Sequence, residues 1–306
     1  MPTTAHHVQE HDRPSADDTR RRLLAGLPVT ERRVQLAAIP TVVLEGGDGP
    51  PLVLLHSSAE FAAIWLRVVP DLVGGHRVII PDLPGHGASA APAEPLGADR
   101  MLAWLGELLE ATCQAPPVLV GRGLGGALAA RFAAAHGDRL DQLVLVGAFG
   151  MGPFDPAPAF GQAMQRFGQE PTEATRDVLF RQCFTDLDSL ATKLGPRWTA
   201  LADYALDRAR GPDMAAALGG LMPELVLPAI PAADLDRIAV PTSLIWGRQD
   251  RQVPLAVAEA AAARHGWPLQ VIDPAGDDPP MEQPAAFLAA LETALTAGTT
   301  PGRAGR

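Results

Sequence analysis

The chain has 306 residues, of which 47% are hydrophobic, so it can bury a sizeable core. The net charge is −10 and the arginines are scattered among acidic residues, so we expect no nucleic-acid partner and no binding to an anionic membrane. No segment approaches the ~18 apolar residues of a membrane-spanning helix, and the N-terminus has no apolar signal sequence. Cys113 and Cys183 lie in apolar helical patterns, which is typical of reduced thiols in a cytoplasmic protein.

The first half of the chain alternates between strand and helix patterns. Residues 1–15 have no period and are predicted to be disordered, and residues 33–44 suggest a hairpin of edge strands. The other predicted elements are helices at 19–27, 65–72 and 97–113 and strands at 52–55 and 77–80. Alternation of this kind predicts an α/β fold with a parallel sheet.

After Val146 the alternation stops for about ninety residues, and helical patterns with proline-rich connections replace it. Helices are predicted at 156–167, 172–184, 187–208 and 212–221. We therefore divide the chain into an N-terminal tail with a short helix (1–30), an α/β core (31–148 and 236–296), a helical insertion (149–235) and a frayed tail (297–306).

Residues 117–130 read as a strand, a glycine turn and an alanine-rich helix. Gly121, Gly123 and Gly126 fit the G-x-G-x-x-G pattern of dinucleotide binding, whereas Gly121, Gly123 and Gly125 fit the G-x-S-x-G elbow with glycine in place of serine. A dinucleotide site needs an acidic residue after the next strand, but 143–146 is followed by Gly-Ala-Phe. The context therefore favours the elbow.

Four further stretches accompany this turn: LVLLHSS at 52–58, DLPGHGAS at 82–89, PTSLIWGRQD at 241–250 and AGDDPPMEQP at 275–284. Together they resemble the α/β-hydrolase fold family over roughly residues 32–295. The resemblance implies a mostly parallel twisted sheet flanked by helices, with the helical insertion as a cap over the active site. His56 and His86 match positions that support loop structure in that family.

The resemblance also assigns the catalytic positions. Gly123 stands at the nucleophile position, Asp277 replaces the histidine base, and Asp250 keeps the position of the acid. The backbone N–H groups of Ser58 and Leu124 are the implied oxyanion donors. A relocated nucleophile at Ser57 or Ser58 is the alternative, although it lacks a histidine base.

Charged residues around these positions suggest a different chemistry. The family geometry places Asp250 near Asp277, and two close carboxyls share a proton and serve as acid and base; the alternative is that Asp277 points to solvent or pairs with Arg122. Asp278 adds a negative charge at the mouth of the site. Arg122 either stabilises a developing anion or forms a salt bridge with an acid such as Asp82.

The remaining candidates are substrate contacts. Ser57 and Asp278 come from the core, and the cap contributes Phe160, Met164, Trp198 and Tyr204. Ordinary packing within the cap is the alternative for each cap residue.

Three hypotheses for function remain open. The first is a non-hydrolytic enzyme that performs cyclisation, rearrangement, dehydration or lyase chemistry on a small apolar oxygenated metabolite, as in bacterial natural-product biosynthesis. The second is a pseudoenzyme that binds a small molecule, and the third is an esterase or lactonase with relocated catalytic residues. We expect no metal, no cofactor, and a monomer or homodimer.

Overall fold

The computed structural model of the protein describes residues 15–92 and 94–298, through which an eight-stranded sheet runs. The strands are β1 Thr30–Leu36, β2 Ile39–Gly46, β3 Pro51–Leu55, β4 Arg77–Pro81, β5 Val118–Arg122, β6 Gln142–Val146, β7 Thr242–Gly247 and β8 Leu269–Ile272. Their order is β1-β2-β4-β3-β5-β6-β7-β8. Strand β2 is antiparallel to β1 and β4, and the other neighbours are parallel. The predicted α/β fold with a mostly parallel sheet is confirmed.

Thirteen α-helices occur in the described residues. They are α1 Ala16–Leu24, α2 Val69–Leu72, α3 Ala98–Thr112, α4 Gly123–His136, α5 Pro158–Gln169, α6 Glu173–Cys183, α7 Leu187–Leu194, α8 Pro196–Arg210, α9 Pro212–Leu221, α10 Ala232–Leu235, α11 Leu255–His265, α12 Pro279–Glu282 and α13 Pro284–Gly298. Within the described ranges, none has the length and apolar character needed to cross a membrane. Of the segment predicted to be disordered (1–15), residues 1–14 lie outside these ranges, whereas Ser15 caps α1. Of the tail predicted to be frayed (297–306), residues 299–306 lie outside these ranges, whereas residues 297 and 298 belong to α13, so the prediction is wrong for those two residues.

The sheet is buried on both faces, since its central strands β5, β6 and β7 are buried at every position and are mostly apolar. In β5, Leu119 packs into a core with α3, α4 and α11, whereas Val118 and Val120 pack into a second core that includes Phe287 of α13. Helices thus cover both sides of the sheet. The carboxyl ends of its parallel strands remain as the edge where loops can meet.

Three helix predictions need correction. The helix predicted over 65–72 is a short 3-10 helix at Ala62–Trp65 followed by α2 at Val69–Leu72. The helix predicted over 187–208 is two helices, α7 and α8, because Gly195 adopts φ +54° and Pro196 then opens a new helix. The helix predicted over 19–27 starts earlier, at Ala16, because the hydroxyl of Ser15 accepts from the N–H of Asp18 and caps it.

Helix α1 packs against α8 of the helical insertion. A buried arginine of α1, Arg20, also connects this helix to the core. Arg20 is 4% exposed; its Nη2 lies 2.9 Å from Asp82 Oδ2, and its Nε donates to Glu31 Oε2 at 2.7 Å. Asp82 is fully buried and also accepts from the N–H groups of Ala62 and Ala88. The pair therefore joins the N-terminal helix to the loop after β4.

Replacement of Arg20 by methionine should destabilise the protein by about 3–5 kcal/mol, because the Asp82 carboxylate would stay buried without its cation. Urea unfolding at pH 7 measures the loss. Arg21→Met is the matched control, since Arg21 is 77% exposed and its pair with Asp18 lies at the surface. Equal losses for the two variants would show that the buried pair adds nothing to stability.

Candidate active site

The turn between β5 and α4 is built around Gly123, which has φ +50°. This left-handed backbone is easy for glycine and strained for other residues. The turn is also tightly packed, since a Cβ on Gly121 would lie 2.5 Å from the carbonyl oxygen of Gly125. Glycine at these positions lets the first turn of α4 follow directly on the strand.

Ser57 fills the space in front of Gly123. A Cβ on Gly123 would lie 2.6 Å from Ser57 Cβ and closer still to Ser57 Oγ, well inside any normal contact. Ser57 Oγ accepts from the N–H of Leu124 at 3.3 Å. The predicted oxyanion donor Leu124 is therefore engaged by a neighbouring hydroxyl, while Ser58, the other predicted donor, is partly exposed.

Arg122, the last residue of β5, is 2% exposed and joins three loops. Its Nη1 forms an ion pair with Glu60 in the loop after β3, and its Nε donates to the carbonyl oxygen of Asp277 at 3.0 Å. Arg122 Nη2 lies 3.6 Å from Asp277 Oδ2, and Nε lies 3.7 Å from Asp278 Oδ1. The alternative in which Arg122 forms a salt bridge with a nearby acid is observed, but the acids are Glu60, Asp277 and Asp278. Asp82, the example given from the sequence, is bound by Arg20 instead.

Asp250 lies in the loop after β7 and is fixed by that loop. Its Oδ1 accepts from the N–H groups of Gln252 and Val253, both at 2.8 Å, whereas no hydrogen-bond partner is found for Oδ2 in the described residues. A Cβ on Gly147 would lie 3.2 Å from Asp250 Oδ2 and 3.6 Å from the Asp277 carbonyl oxygen. The loops after β7 and β8 therefore approach each other next to the end of β6.

Asp277 and Asp278 follow β8 and are 5% and 1% exposed. The expectation that Asp278 lies at the mouth of the site is therefore wrong, because its side chain is buried at the start of α12. The alternative in which Asp277 points to solvent is therefore wrong, and its pairing with Arg122 is observed. Asp278 Oδ1 accepts from the N–H of Met281 at 3.2 Å and caps α12. Among the described residues, neither Asp277 Oδ1 nor Asp278 Oδ2 has a hydrogen-bond partner.

Burial dominates the titration of these acids. It raises the pKa of Asp250 and of Asp278 to about 7, although Arg122 and backbone donors oppose the shift. Burial also raises the pKa of Asp277 well above its ordinary value; Arg122 opposes this, and the charges of Asp250 and Asp278 add to it. Burial works to lower the pKa of Arg122, but Asp278, Glu60 and Asp277 raise it well above its ordinary value. Arg122 therefore stays charged and has several carboxyls around it.

The two histidines of the neighbouring loops hold backbone in place, as the resemblance implies. His56 accepts from the N–H of Leu83 at Nε2 and so carries its proton on Nδ1, which donates to the carbonyl oxygen of Ser57 at 2.7 Å. Burial lowers the pKa of His56 and of His86 to about 4, so both are neutral at pH 7. Their rings lie 5.4 Å apart.

The end of α6 is hydrogen-bonded to the loop that carries Asp277. The Asp277 N–H donates to the carbonyl oxygen of Cys183 at 3.2 Å. Glu282 accepts from the N–H and hydroxyl of Thr185 at 2.7 and 2.5 Å, and from the N–H of Gly276 at 2.6 Å. The helical insertion therefore contacts the site through backbone and carboxylate bonds that the sequence did not indicate.

The predicted cap contacts lie in different surroundings. Phe160 is buried and Met164 is partly exposed in α5, whereas the Trp198 ring packs edge-on against Phe180 and Phe184. The Tyr204 ring lies 4.5 Å from that of Phe61 and faces the cluster of Arg20 and Asp82. In the described part of the chain, no group of three His, Cys, Asp or Glu residues is arranged to hold a metal ion.

A family model for the alpha/beta hydrolase fold matches residues 50–284. The chain belongs to this family. Among curated relatives, a 2-hydroxy-6-oxo-6-(2'-aminophenyl)hexa-2,4-dienoic acid hydrolase of Metapseudomonas resinovorans is 28% identical over 239 residues, which are 74% of this chain and 77% of that protein. An uncharacterized protein of Mycobacterium tuberculosis is 28% identical over 257 residues, covering 80% of this chain and 75% of the relative.

Solved structures of other α/β-hydrolases share the fold. A carboxylesterase of Bacillus subtilis has a TM-score of 0.79 at 17% identity and covers 92% of this chain and 97% of its own. A 2-hydroxy-6-oxo-6-phenylhexa-2,4-dienoate hydrolase of Rhodococcus sp. strain RHA1 has a TM-score of 0.76 at 23% identity, covering 88% and 99% of the two chains. At these identities the likeness establishes the fold and not the activity.

The raised carboxyl pKa values set a pH dependence of stability. In the unfolded chain these carboxyls titrate near pH 4, so between about pH 4 and 7 the folded protein holds more protons, and the free energy of unfolding falls as pH rises. Asp277→Asn removes one such group. The variant should lose less stability than wild type between pH 5 and 8, and should be more stable at pH 8 by about 1 kcal/mol or more. Urea unfolding at each pH measures this.

Glu259→Gln, on the exposed side of α11, is the matched control and should follow the wild-type dependence on pH. A loss of stability in Asp277→Asn at pH 8 would contradict the prediction. It would mean that Asp277 is ionised in the folded protein and is stabilised by Arg122.

Proposed function

We propose that this α/β-hydrolase is a non-hydrolytic enzyme that transfers protons within a small apolar oxygenated substrate. The observation that carries the proposal is the set of buried carboxyl oxygens without a hydrogen-bond partner in the described residues: Asp250 Oδ2, Asp277 Oδ1 and Asp278 Oδ2. Groups of this kind are costly to bury, and a substrate that accepts or donates protons there offsets the cost.

The residues at the nucleophile and base positions argue against ester hydrolysis. Gly123 has no side-chain atom that could attack a carbonyl group. Asp277 lacks the two ring nitrogens with which a histidine takes the proton of the nucleophile and hydrogen-bonds to the acid. Asp250 keeps the position of the acid, and its pKa of about 7 leaves it partly protonated at neutral pH. A carboxyl with a pKa near the working pH is suited to serve as base in one step and as acid in the next.

The chemistry that fits is proton transfer coupled to rearrangement. An ionised carboxylate of the Asp250 and Asp277 pair takes a proton from an acidic C–H or hydroxyl group, and the protonated partner returns one elsewhere on the substrate. Cyclisation, dehydration and lyase steps follow this scheme without a cofactor. Arg122 supplies a fixed positive charge that keeps the doubly ionised state of the site accessible.

The names of the relatives support a small oxygenated substrate. Two of the matched proteins are named as hydrolases of 2-hydroxy-6-oxo dienoic acids, compounds in which hydroxyl and oxo groups flank a conjugated chain. Compounds of this type carry an acidic enol hydroxyl group, and their keto tautomers carry C–H groups next to a carbonyl group. We propose that this chain acts on the same class of ligand but does not hydrolyse it.

A second candidate is a binding protein for the same kind of ligand. The observation that favours it is the Leu124 N–H, which donates to Ser57 Oγ and so is less available to an oxyanion. The two candidates differ in turnover, so an assay of proton exchange separates them.

Hydrolysis and labelling give the first test of the proposal. We expect no turnover of p-nitrophenyl esters above background and no labelling by a fluorophosphonate probe, because no activated serine is available. Mass spectrometry after probe treatment detects any adduct. Stoichiometric labelling of Ser57 or Ser58 would instead support an esterase with a relocated nucleophile.

Proton transfer itself is tested by deuterium uptake from D2O into acetophenone and small cyclic ketones, followed by NMR. Wild type should accelerate exchange next to the carbonyl group, and Asp277→Asn should lower the rate by about 100-fold or more, because the variant has no carboxyl at position 277 to take or return a proton. Glu259→Gln serves as control and should keep the wild-type rate. Unchanged exchange in Asp277→Asn would refute the mechanism, and bound ligand without exchange would favour the binding protein.

Rebuilding a triad tests the assignment of positions. Gly123→Ser together with Asp277→His restores the triad residue types with Asp250, but the serine side chain introduced at the elbow would collide with Ser57. We therefore expect p-nitrophenyl esterase activity only when Ser57→Gly is added, with strongly non-additive effects. A folded triple variant without activity would mean that the loops no longer hold hydrolase geometry.

A further inference from the structure

Ser57 faces Gly123 across the site, and the Ser57 side chain leaves no room for a side chain at position 123. A Cβ on Gly123 would lie 2.6 Å from Ser57 Cβ, whereas Phe149, the next neighbour, would be 3.4 Å away. The Ser57 hydroxymethyl group therefore occupies the space into which a residue at the elbow would extend. The hydroxyl group next to the elbow therefore belongs to Ser57, in the loop after β3, and not to residue 123.

Ser57 is held in place through both its backbone and its side chain. Its backbone N–H donates to Glu60 Oε2 at 2.9 Å, and its backbone carbonyl oxygen accepts from His56 Nδ1 at 2.7 Å. Its side-chain Oγ accepts from the Leu124 N–H at 3.3 Å. Glu60 is in turn paired with Arg122. The residue is 1% exposed, so its position is set by the protein and not by solvent.

The hydroxyl proton of Ser57 has no acceptor among the described residues. Within the described residues Oγ takes part in one hydrogen bond, in which it is the acceptor. A hydroxyl can donate one bond as well as accept, so the proton is available to a ligand. The Leu124 N–H belongs to the first turn of α4, where the helix dipole is positive, and a hydroxyl that accepts there becomes a stronger donor.

We propose that Ser57 is a catalytic residue that donates a hydrogen bond to the carbonyl oxygen of the substrate. The proposal rests on the proposed proton-transfer function and narrows its substrates to carbonyl compounds with a C–H next to the carbonyl group. In the step, a carboxylate of the Asp250 and Asp277 pair takes that proton, and the C–H electron pair forms the enolate double bond. The carbonyl oxygen gains the negative charge, which the Ser57 O–H and, behind it, the Leu124 N–H stabilise.

The enolate then collapses without an added reagent. In an isomerisation of a substrate that has a carbon–carbon double bond conjugated to the enolate, the proton returns to the far carbon of that conjugated system and the double bond moves. In a dehydration the enolate electrons expel a hydroxyl group on the next carbon, which takes the proton from the carboxyl and leaves as water. Both routes return the carboxyl pair to its starting protonation state.

The placement of Ser57 is tested by a double-mutant cycle on stability. Gly123→Ala should lower the urea midpoint more than Gly147→Ala, since Gly147 also has φ +50° but a Cβ there would have no neighbour nearer than 3.2 Å. Adding Ser57→Gly should recover part of the loss in Gly123→Ala and none in Gly147→Ala. Additive effects of Ser57→Gly and Gly123→Ala would overturn the placement.

The catalytic role is tested by deuterium exchange into acetophenone and cyclic ketones. Ser57→Ala should lower the exchange rate by about 100-fold, the usual effect of removing one oxyanion donor. Ser243→Ala, a buried serine near the start of β7, is the matched control and should keep the wild-type rate.

The outcomes separate this proposal from the function on which it rests. Full exchange in Ser57→Ala with loss in Asp277→Asn would overturn the role of Ser57 and leave the carboxyl mechanism intact. Absence of exchange in wild type would overturn both. A fluorophosphonate adduct on Ser57 in wild type would also overturn the donor role, because the residue would then be a nucleophile.

Discussion

The buried guanidinium of Arg122 is the interaction on which the rest of the site depends. It binds Glu60 after β3 and both Asp277 and Asp278 after β8, while its own backbone ends β5. A buried cation is tolerated only when carboxylates and hydrogen bonds compensate it, so these loops cannot separate without exposing unpaired charge. The carboxyl edge of the sheet is therefore fixed by electrostatics as well as by packing.

Arg122 does not neutralise everything that surrounds it. Asp250, Asp277, Asp278 and Glu60 are carboxyls within one buried region, and burial raises the pKa of the three aspartates. The raised pKa values mean that the region retains protons at neutral pH, and the proposed acid and base mechanism uses these protons. The last residue of helix α6, Cys183, accepts a hydrogen bond from the Asp277 N–H, so the helix ends against this region.

The sequence predicted the fold and the loops of the site because both follow from local patterns. Alternating strands and helices predicted the sheet, and the motifs placed Gly123, Asp250 and Asp277 at the ends of β5, β7 and β8. It named Asp277 as a possible partner of Arg122, but it did not predict the contacts of Arg122 with Glu60 and Asp278 or the pair of Arg20 with Asp82. A local pattern does not specify which of many acids a distant arginine meets. Gly195 and Pro196 are helix-breaking residues, but one continuous helix was predicted because the apolar residues on either side keep a helical period.

The relation between Ser57 and Gly123 explains why the elbow could not be interpreted from its own motif. A glycine at the nucleophile position suggests an empty space, yet that space is filled from the loop after β3, which lies beside β5 in the sheet. The two positions share one volume, so a side chain can stand at either residue but not at both. A serine placed on the elbow must therefore be accompanied by loss of the Ser57 side chain. The hydroxyl of the site thus stands on the neighbouring loop, and it is held there by the N–H at the start of α4.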